Sequence, residues 1–262
     1  MNASSSVFSW SYGRHGAPVL LCLHGIGSCA DAFLGQRPLA ERLGVRLVAW
    51  DAPGYRHSAD PAAAPGIDGW ADAAAALIAA ESDGPAAVLG VSWGGVTATR
   101  LVLRHPELVS ALILADSSAG AGTKPEQAEA MRARATDFVD LGPEGFAAAR
   151  AQRLVGPDAS DELRAHVAEM MVPSIRMPCY QWACDSMAES NHYPDLGRIT
   201  APTLVVVGEH DEVTPPRTSQ RLAEGIAGAR YAEIAGAGHL ANQEQPEALN
   251  DVVAEFLESL AS

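Results

Sequence analysis

The stretch Ala86-Ala-Val-Leu-Gly-Val-Ser-Trp-Gly-Gly95 decides the fold. Its apolar run reads as a buried strand, and Gly90 and Gly94 bracket Ser92 in the spacing Gly-x-Ser-x-Gly just before a helical pattern over 94–105. A strand that turns this sharply into a helix holds its serine in a strained backbone conformation. Only neighbours without side chains, two residues to either side, avoid collision there. The hydroxyl is thereby presented to a cleft at the carboxyl end of the strand.

A serine hydroxyl is a weak nucleophile at neutral pH, so it needs an imidazole to take its proton and a carboxylate to fix the imidazole's tautomer. Both follow in the chain. The run Val207-Gly-Glu-His-Asp211 ends an apolar segment on a carboxylate, and Gly236-Ala-Gly-His239 places a histidine in a loop after the next one. Glu209, Glu212 and Asp116 compete for the acid's role, but Asp211 has the favoured position in its turn. The remaining histidines, among them His57, His105, His192 and His210, read as satisfied or solvated loop residues. Upstream, His24-Gly-Ile-Gly27 opens a loop behind an apolar strand. Backbone N–H groups there can face a developing oxyanion, which makes Ile26 and Trp93 the expected oxyanion-hole donors. His24, Gly25, Trp182 and Leu240 are expected beside the substrate.

Outward from this constellation, strand patterns at 19–23, 46–50, 87–91, 111–115, 203–207 and 230–234 alternate with helical patterns at 30–43, 69–81, 218–226 and 247–260. That is an α/β chain with a mostly parallel central sheet and helices on both faces. The sheet pattern is interrupted once. Residues 125–177 read as several helices broken at Gly142-Pro143, Gly156-Pro157 and Pro173. The expected organisation is a core of 1–118 and 196–262 with a helical cap insertion at 119–195. Met170, Met171, Met177, Tyr180, Trp182 and Met187 in the cap suit an adaptable apolar roof, with about half of them serving only to pack it. Arg134, Arg153 and Arg176 are cap cations that a substrate carboxylate could meet, but on an acidic protein such residues are ordinarily solvated, so none is taken as a site.

Composition excludes several other functions. The 262 residues are 48% hydrophobic and 19% charged, as in an ordinary globular protein, and carry a net charge of −14. Lysines and arginines are scattered, so neither nucleic acid nor an anionic membrane surface is expected as a partner. The apolar start at 19–23 is too short to span a bilayer, which makes the cytoplasm the default location. The four cysteines lack zinc-type spacing and read as packing thiols. No cofactor or metal is expected. The expected partner is a small-molecule ester or lactone, with a homodimer left open.

Taken together, His24-Gly-Ile-Gly, Asp51-Ala-Pro-Gly-Tyr, Gly90-Val-Ser-Trp-Gly-Gly, the run from Pro202 to Asp211 and Gly238-His-Leu resemble the α/β-hydrolase superfamily over nearly the whole chain. Asp211-Glu-Val-Thr-Pro-Pro and His239-Leu-Ala-Asn-Gln-Glu-Gln-Pro resemble most the 3-oxoadipate enol-lactonases and related esterases. The resemblance implies a serine hydrolase acting through an acyl-enzyme. Trp93 departs from the Leu or Met usual in those lactonases and is similar to intracellular polyhydroxyalkanoate depolymerases. Arg56 stands where the superfamily usually has Gly. Carbon–carbon bond hydrolases of the meta-cleavage type share the serine triad, and small-molecule receptors such as those for karrikin and strigolactone keep the same fold and triad.

Overall fold

The computed structural model describes residues 7–260. Strands β1 (Ser9–Tyr12), β2 (Val19–Leu23), β3 (Arg46–Trp50), β4 (Ala86–Val91), β5 (Val109–Ala115), β6 (Thr203–Gly208) and β7 (Arg230–Ile234) form one seven-stranded sheet in the order β1-β3-β2-β4-β5-β6-β7. All neighbours run parallel except β1, which is antiparallel to β3. Strand β1 was not expected from the sequence: Ser-Trp-Ser-Tyr is short, half-polar and half-buried, as an edge strand tends to be. The central strands β2, β3 and β6 are buried along their whole length, as parallel strands covered on both faces must be.

Alternation along each strand feeds two cores. Leu21 and Leu23 face a core shared with Trp70 of α2 (Gly66–Glu81) and Leu101 of α3 (Trp93–Arg104), while Leu20 and Cys22 face the opposite one. That second core is closed by Leu39 of α1 (Arg37–Leu43) and Val253 of α9 (Pro246–Glu258). Each fully buried leucine contributes about 2 kcal/mol relative to exposure. All four cysteines are free and buried.

Between β5 and β6 the chain forms α4 (Pro125–Leu154), α5 (Asp161–Ser174) and α6 (Cys179–Glu189), which pack on one another, with α6 also against α2. Gly142, at φ 70°, kinks α4 immediately before Pro143, and Gly156-Pro157 separates α4 from α5, as the sequence suggests. Pro173 does not break its helix. It sits next to the last residue of α5, where the missing N–H affects only the final turn. The expected helix at 30–43 divides into a 3₁₀ stretch, Ala30–Gln36, followed by α1. No helix among the described residues is long and apolar enough to cross a membrane.

Candidate active site

The turn after β4 places Ser92 at φ 55° and ψ −118°, a conformation that costs an L-residue free energy and is held by its surroundings. Those surroundings explain the glycines. A Cβ on Gly94 would lie 2.0 Å from the carbonyl oxygen of Leu23, and one on Gly90 would lie 2.4 Å from that of Gly94. Two further elements complete the site. Asp211 follows β6, and α7 (Pro216–Glu224) follows in turn, while His239 stands in the loop between β7 and the short helix α8 (Ala241–Glu244).

The three side chains form one relay: His239 Nε2 is 2.9 Å from Ser92 Oγ, and His239 Nδ1 is 2.8 Å from Asp211 Oδ2. Asp211 Oδ1 accepts from the Val213 and Thr214 N–H groups, each at 2.8 Å. Burial alone would raise the Asp211 carboxyl, but the charge and hydrogen bond of His239, with the hydrogen bonds of Thr214, outweigh it and hold its pKa below the ordinary range. An ionised carboxylate on Nδ1–H leaves Nε2 free to accept the serine proton.

Sequence reasoning missed Thr214. Its Oγ1 lies 2.7 Å from Asp211 Oδ2 and 2.8 Å from the main-chain oxygen of Asp116, so it ties the acid's turn to the end of β5. The signal was present: an aspartate accepting from N–H groups two and three residues on is a turn that Asp-x-x-Thr favours. Glu244 was also missed as an anchor. Its carboxylate accepts from the N–H groups of Gly156, Gly238 and Leu240, while the His239 N–H donates to Leu154 at the end of α4.

The rival acid Asp116 is fully buried, and its oxygens accept from the Gly208 and Ala241 N–H groups instead of facing His239. Burial, then the neighbouring Asp211 charge, raises its pKa well above the usual carboxylate range. Asp116 therefore joins the β6 turn to the histidine loop.

Ile26 and Trp93 flank Ser92 along one cleft. The Trp93 N–H opens α3 and has no intrahelical acceptor. The Trp93 ring points the other way: it is buried, lies 5.0 Å edge-on from Trp70, and donates from Nε1 to Ser186 Oγ on α6 at 3.0 Å. This departure from the lactonase pattern thus fastens the helical segment to the elbow.

Gly25, His24 and Leu240 line an inner cavity that reaches Ser92 and His239. His24 has no free ring nitrogen, since Nδ1 faces the Gly25 carbonyl at 2.8 Å and Nε2 accepts the Ala52 N–H at 3.0 Å. It braces the loop from within the wall. Trp182 is a correction: it packs, partly buried, on the core side of α6 and lines neither cavity at Ser92. Met170, Met171 and Tyr180 do line the inner cavity and Met187 the outer cleft, whereas Met177 is 41% exposed. Among the described residues no group of His, Cys, Asp and Glu is arranged to hold a metal ion.

A family model for the α/β-hydrolase fold matches residues 18–246. The chain belongs to the α/β-hydrolase family. Among its relatives in the family is 3-oxoadipate enol-lactonase 2 of Acinetobacter baylyi, 29% identical over 210 residues, which cover 79% of this chain and 76% of that protein. Another is 2-hydroxymuconate semialdehyde hydrolase of a Pseudomonas species, 27% identical over 246 residues, covering 91% and 86% of the two chains. A thermophilic esterase from Thermogutta terrifontis superposes with a TM-score of 0.85 at 26% identity, covering 98% of this chain and 94% of the other. This α/β hydrolase thus has both esterase and lactonase relatives.

Two buried histidines are expected to make the fold of this family member acid-sensitive. Burial lowers His24 to a pKa of about 4, against the opposing Gly25 hydrogen bond and Asp51 charge. Burial and then the Arg100 charge lower His192 to about 4 as well. His192, expected in a polar loop, is instead buried with Nε2 unpaired. Unfolded, both titrate near pH ~6.5, so between that value and about 4 the unfolded chain binds protons the folded one refuses. The stability that depends on keeping them neutral is complete above ~6.5 and is lost as pH falls toward 4, on the order of 3 kcal/mol for each. Thermal melts should show Tm falling from pH 7 to pH ~4.5, with a shallower slope in His192→Phe. An equal slope in the variant contradicts this origin.

Proposed function

We propose that the chain is a serine hydrolase that cleaves an ester or lactone bond of a small molecule through an acyl-enzyme on Ser92. The observation that carries this reading is the relay of 2.9 Å and 2.8 Å from Ser92 through His239 to Asp211. His239 takes the Ser92 proton as Oγ attacks the carbonyl, and Asp211 orients the imidazole and stabilises its charge. The Ile26 and Trp93 N–H groups stabilise the oxyanion. His239 then protonates the leaving group and activates the water that releases the acid.

In this reading residues 119–195 are the cap. Beneath it the inner cavity measures about 40 Å³, and a wider cleft of about 620 Å³ meets it at Ser92. The inner space holds only a few waters, so an acyl chain entering it displaces the flexible side chains of Met170 and Met171. A second reading, carbon–carbon bond hydrolysis, is favoured by the semialdehyde hydrolase relative.

Intact-mass measurement after fluorophosphonate treatment, run beside turnover assays on 4-nitrophenyl esters, simple lactones and a vinylogous diketone, separates the readings. The expected result is one adduct, on Ser92, with turnover of esters or lactones. Turnover of the diketone alone selects carbon–carbon cleavage, and neither adduct nor turnover rejects the serine hydrolase.

A further inference from the structure

The roof over Ser92 contains a feature the relay leaves unused. Arg134 and Arg150, on opposite sides of the Gly142 kink in α4, both line the inner cavity, and Arg134 also lines the wider cleft. Both are half-buried, and neither has an ion pair or hydrogen-bond partner among the described residues. The Arg150 guanidinium feels this: burial, then the like charge of Arg134, lowers its pKa to about 10.

Two guanidinium groups held close and partly out of water, without a counter-ion, are costly. Two other arginines of this segment are paired with carboxylates, and Arg153, which has no such partner among the described residues, is exposed. Arg132, two residues before Arg134, reaches Asp185 at 3.6 Å, and Arg176 reaches Asp60 at 2.6 Å. The chain has 32 acidic residues against 18 basic ones, yet no carboxylate lines either the inner cavity or the cleft. Lys124, Arg217 and Arg221 add further positive charge along the cleft. On a protein of net charge −14, cavity walls that carry cations and no carboxylate draw an anion toward Ser92.

We propose that Arg134 and Arg150 form an anion-binding subsite in the cap, selecting esters or lactones whose acyl part carries a carboxylate some atoms away from the scissile carbonyl. This rests on the serine-hydrolase reading. The planar, permanently charged guanidinium suits a carboxylate better than lysine would, and its binding supplies the counter-ion that the pair lacks. Phe146, Leu154 and Met171, which line the same cavity as the arginines and Ser92, suit the methylene chain that separates the two carbonyl carbons of such a substrate.

The test compares mono-4-nitrophenyl esters of succinic, glutaric and adipic acids with neutral 4-nitrophenyl alkanoates of equal acyl length. In the wild type, kcat/KM for the best hemiester should exceed that of its neutral partner by about tenfold or more. Arg134→Gln and Arg150→Gln should bring the ratio toward one, mainly through KM, and Arg150→Lys should keep part of it. The ratio is read within one preparation, so loss of folded protein does not imitate the effect. Competitive inhibition of the wild type by free glutarate, weakened by added salt, is a second readout that needs no variant. A wild-type ratio near one at all three lengths, or a preference untouched by both substitutions, overturns the subsite while leaving the serine hydrolase standing. Absence of turnover of every ester together with absence of a fluorophosphonate adduct removes both.

Discussion

Ser92→Ala is expected to lower kcat by about 10⁶-fold, to the level that a site without its nucleophile sustains. The loss follows from chemistry, with the fold retained. Alanine fills less space than serine in the same φ 55° turn, and the glycines that permit the turn are unchanged. His239 keeps its bond to Asp211, so the rest of the site stays assembled. A thermal melt within a few degrees of the wild type, combined with near-background turnover, is the expected pair of results. Residual turnover above about 1% in a preparation free of wild type would assign the nucleophile elsewhere, since a missing nucleophile leaves far less.

Asp211→Asn is expected to lower kcat by about 10⁴-fold with little change in KM. Asp211 accepts at both oxygens, Oδ1 from the Val213 and Thr214 N–H groups and Oδ2 from His239 and Thr214 Oγ1. Asparagine offers one acceptor and one donor. If the amide oxygen keeps the turn, the NH₂ group faces His239 Nδ1 and forces the proton onto Nε2, where it blocks acceptance of the serine proton. Asp116 cannot substitute, because the Gly208 and Ala241 N–H groups occupy its oxygens. Steady-state kinetics on the best ester tests this, and a loss below tenfold would mean that the tautomer is fixed by another group.

The elbow was legible in the sequence because its cause is local. Gly90 and Gly94 are demanded by contacts within a few residues or with the adjacent strand β2, and Ser92 stands between them. Asp211 and His239 were legible because both close apolar runs in a fixed chain order, and the structure brings them to hydrogen-bonding distance of one another and of Ser92. Strand β1 escaped because an edge strand needs only one apolar face and one hydrogen-bonded neighbour, so its four residues give little periodicity.

The helical segment between β5 and β6 was less legible, since its side chains are placed by helix packing and not by chain neighbours. Trp182 and Met177 looked as suitable for the roof as Met171 did, yet they turn to the core side of α6 and to solvent. Arg150, in the alanine-rich run 147–151, carries no local signal that sets it apart, and only the kink at Gly142 puts it in one cavity with Arg134. Arg56, where the sequence resemblance implied glycine, takes φ 35° and is held by Asp31 at 2.9 Å and by Cys29. Sequence pattern alone does not specify such a pairing.

The most direct test of the central claim is to quench the enzyme with acid during turnover of 4-nitrophenyl acetate and to map the acetyl group by mass spectrometry. The expected result is a burst of nitrophenol equal to the enzyme present, with one acetyl group on the peptide carrying Ser92. Turnover without any acylated peptide, or with the acetyl group on another residue, would contradict it.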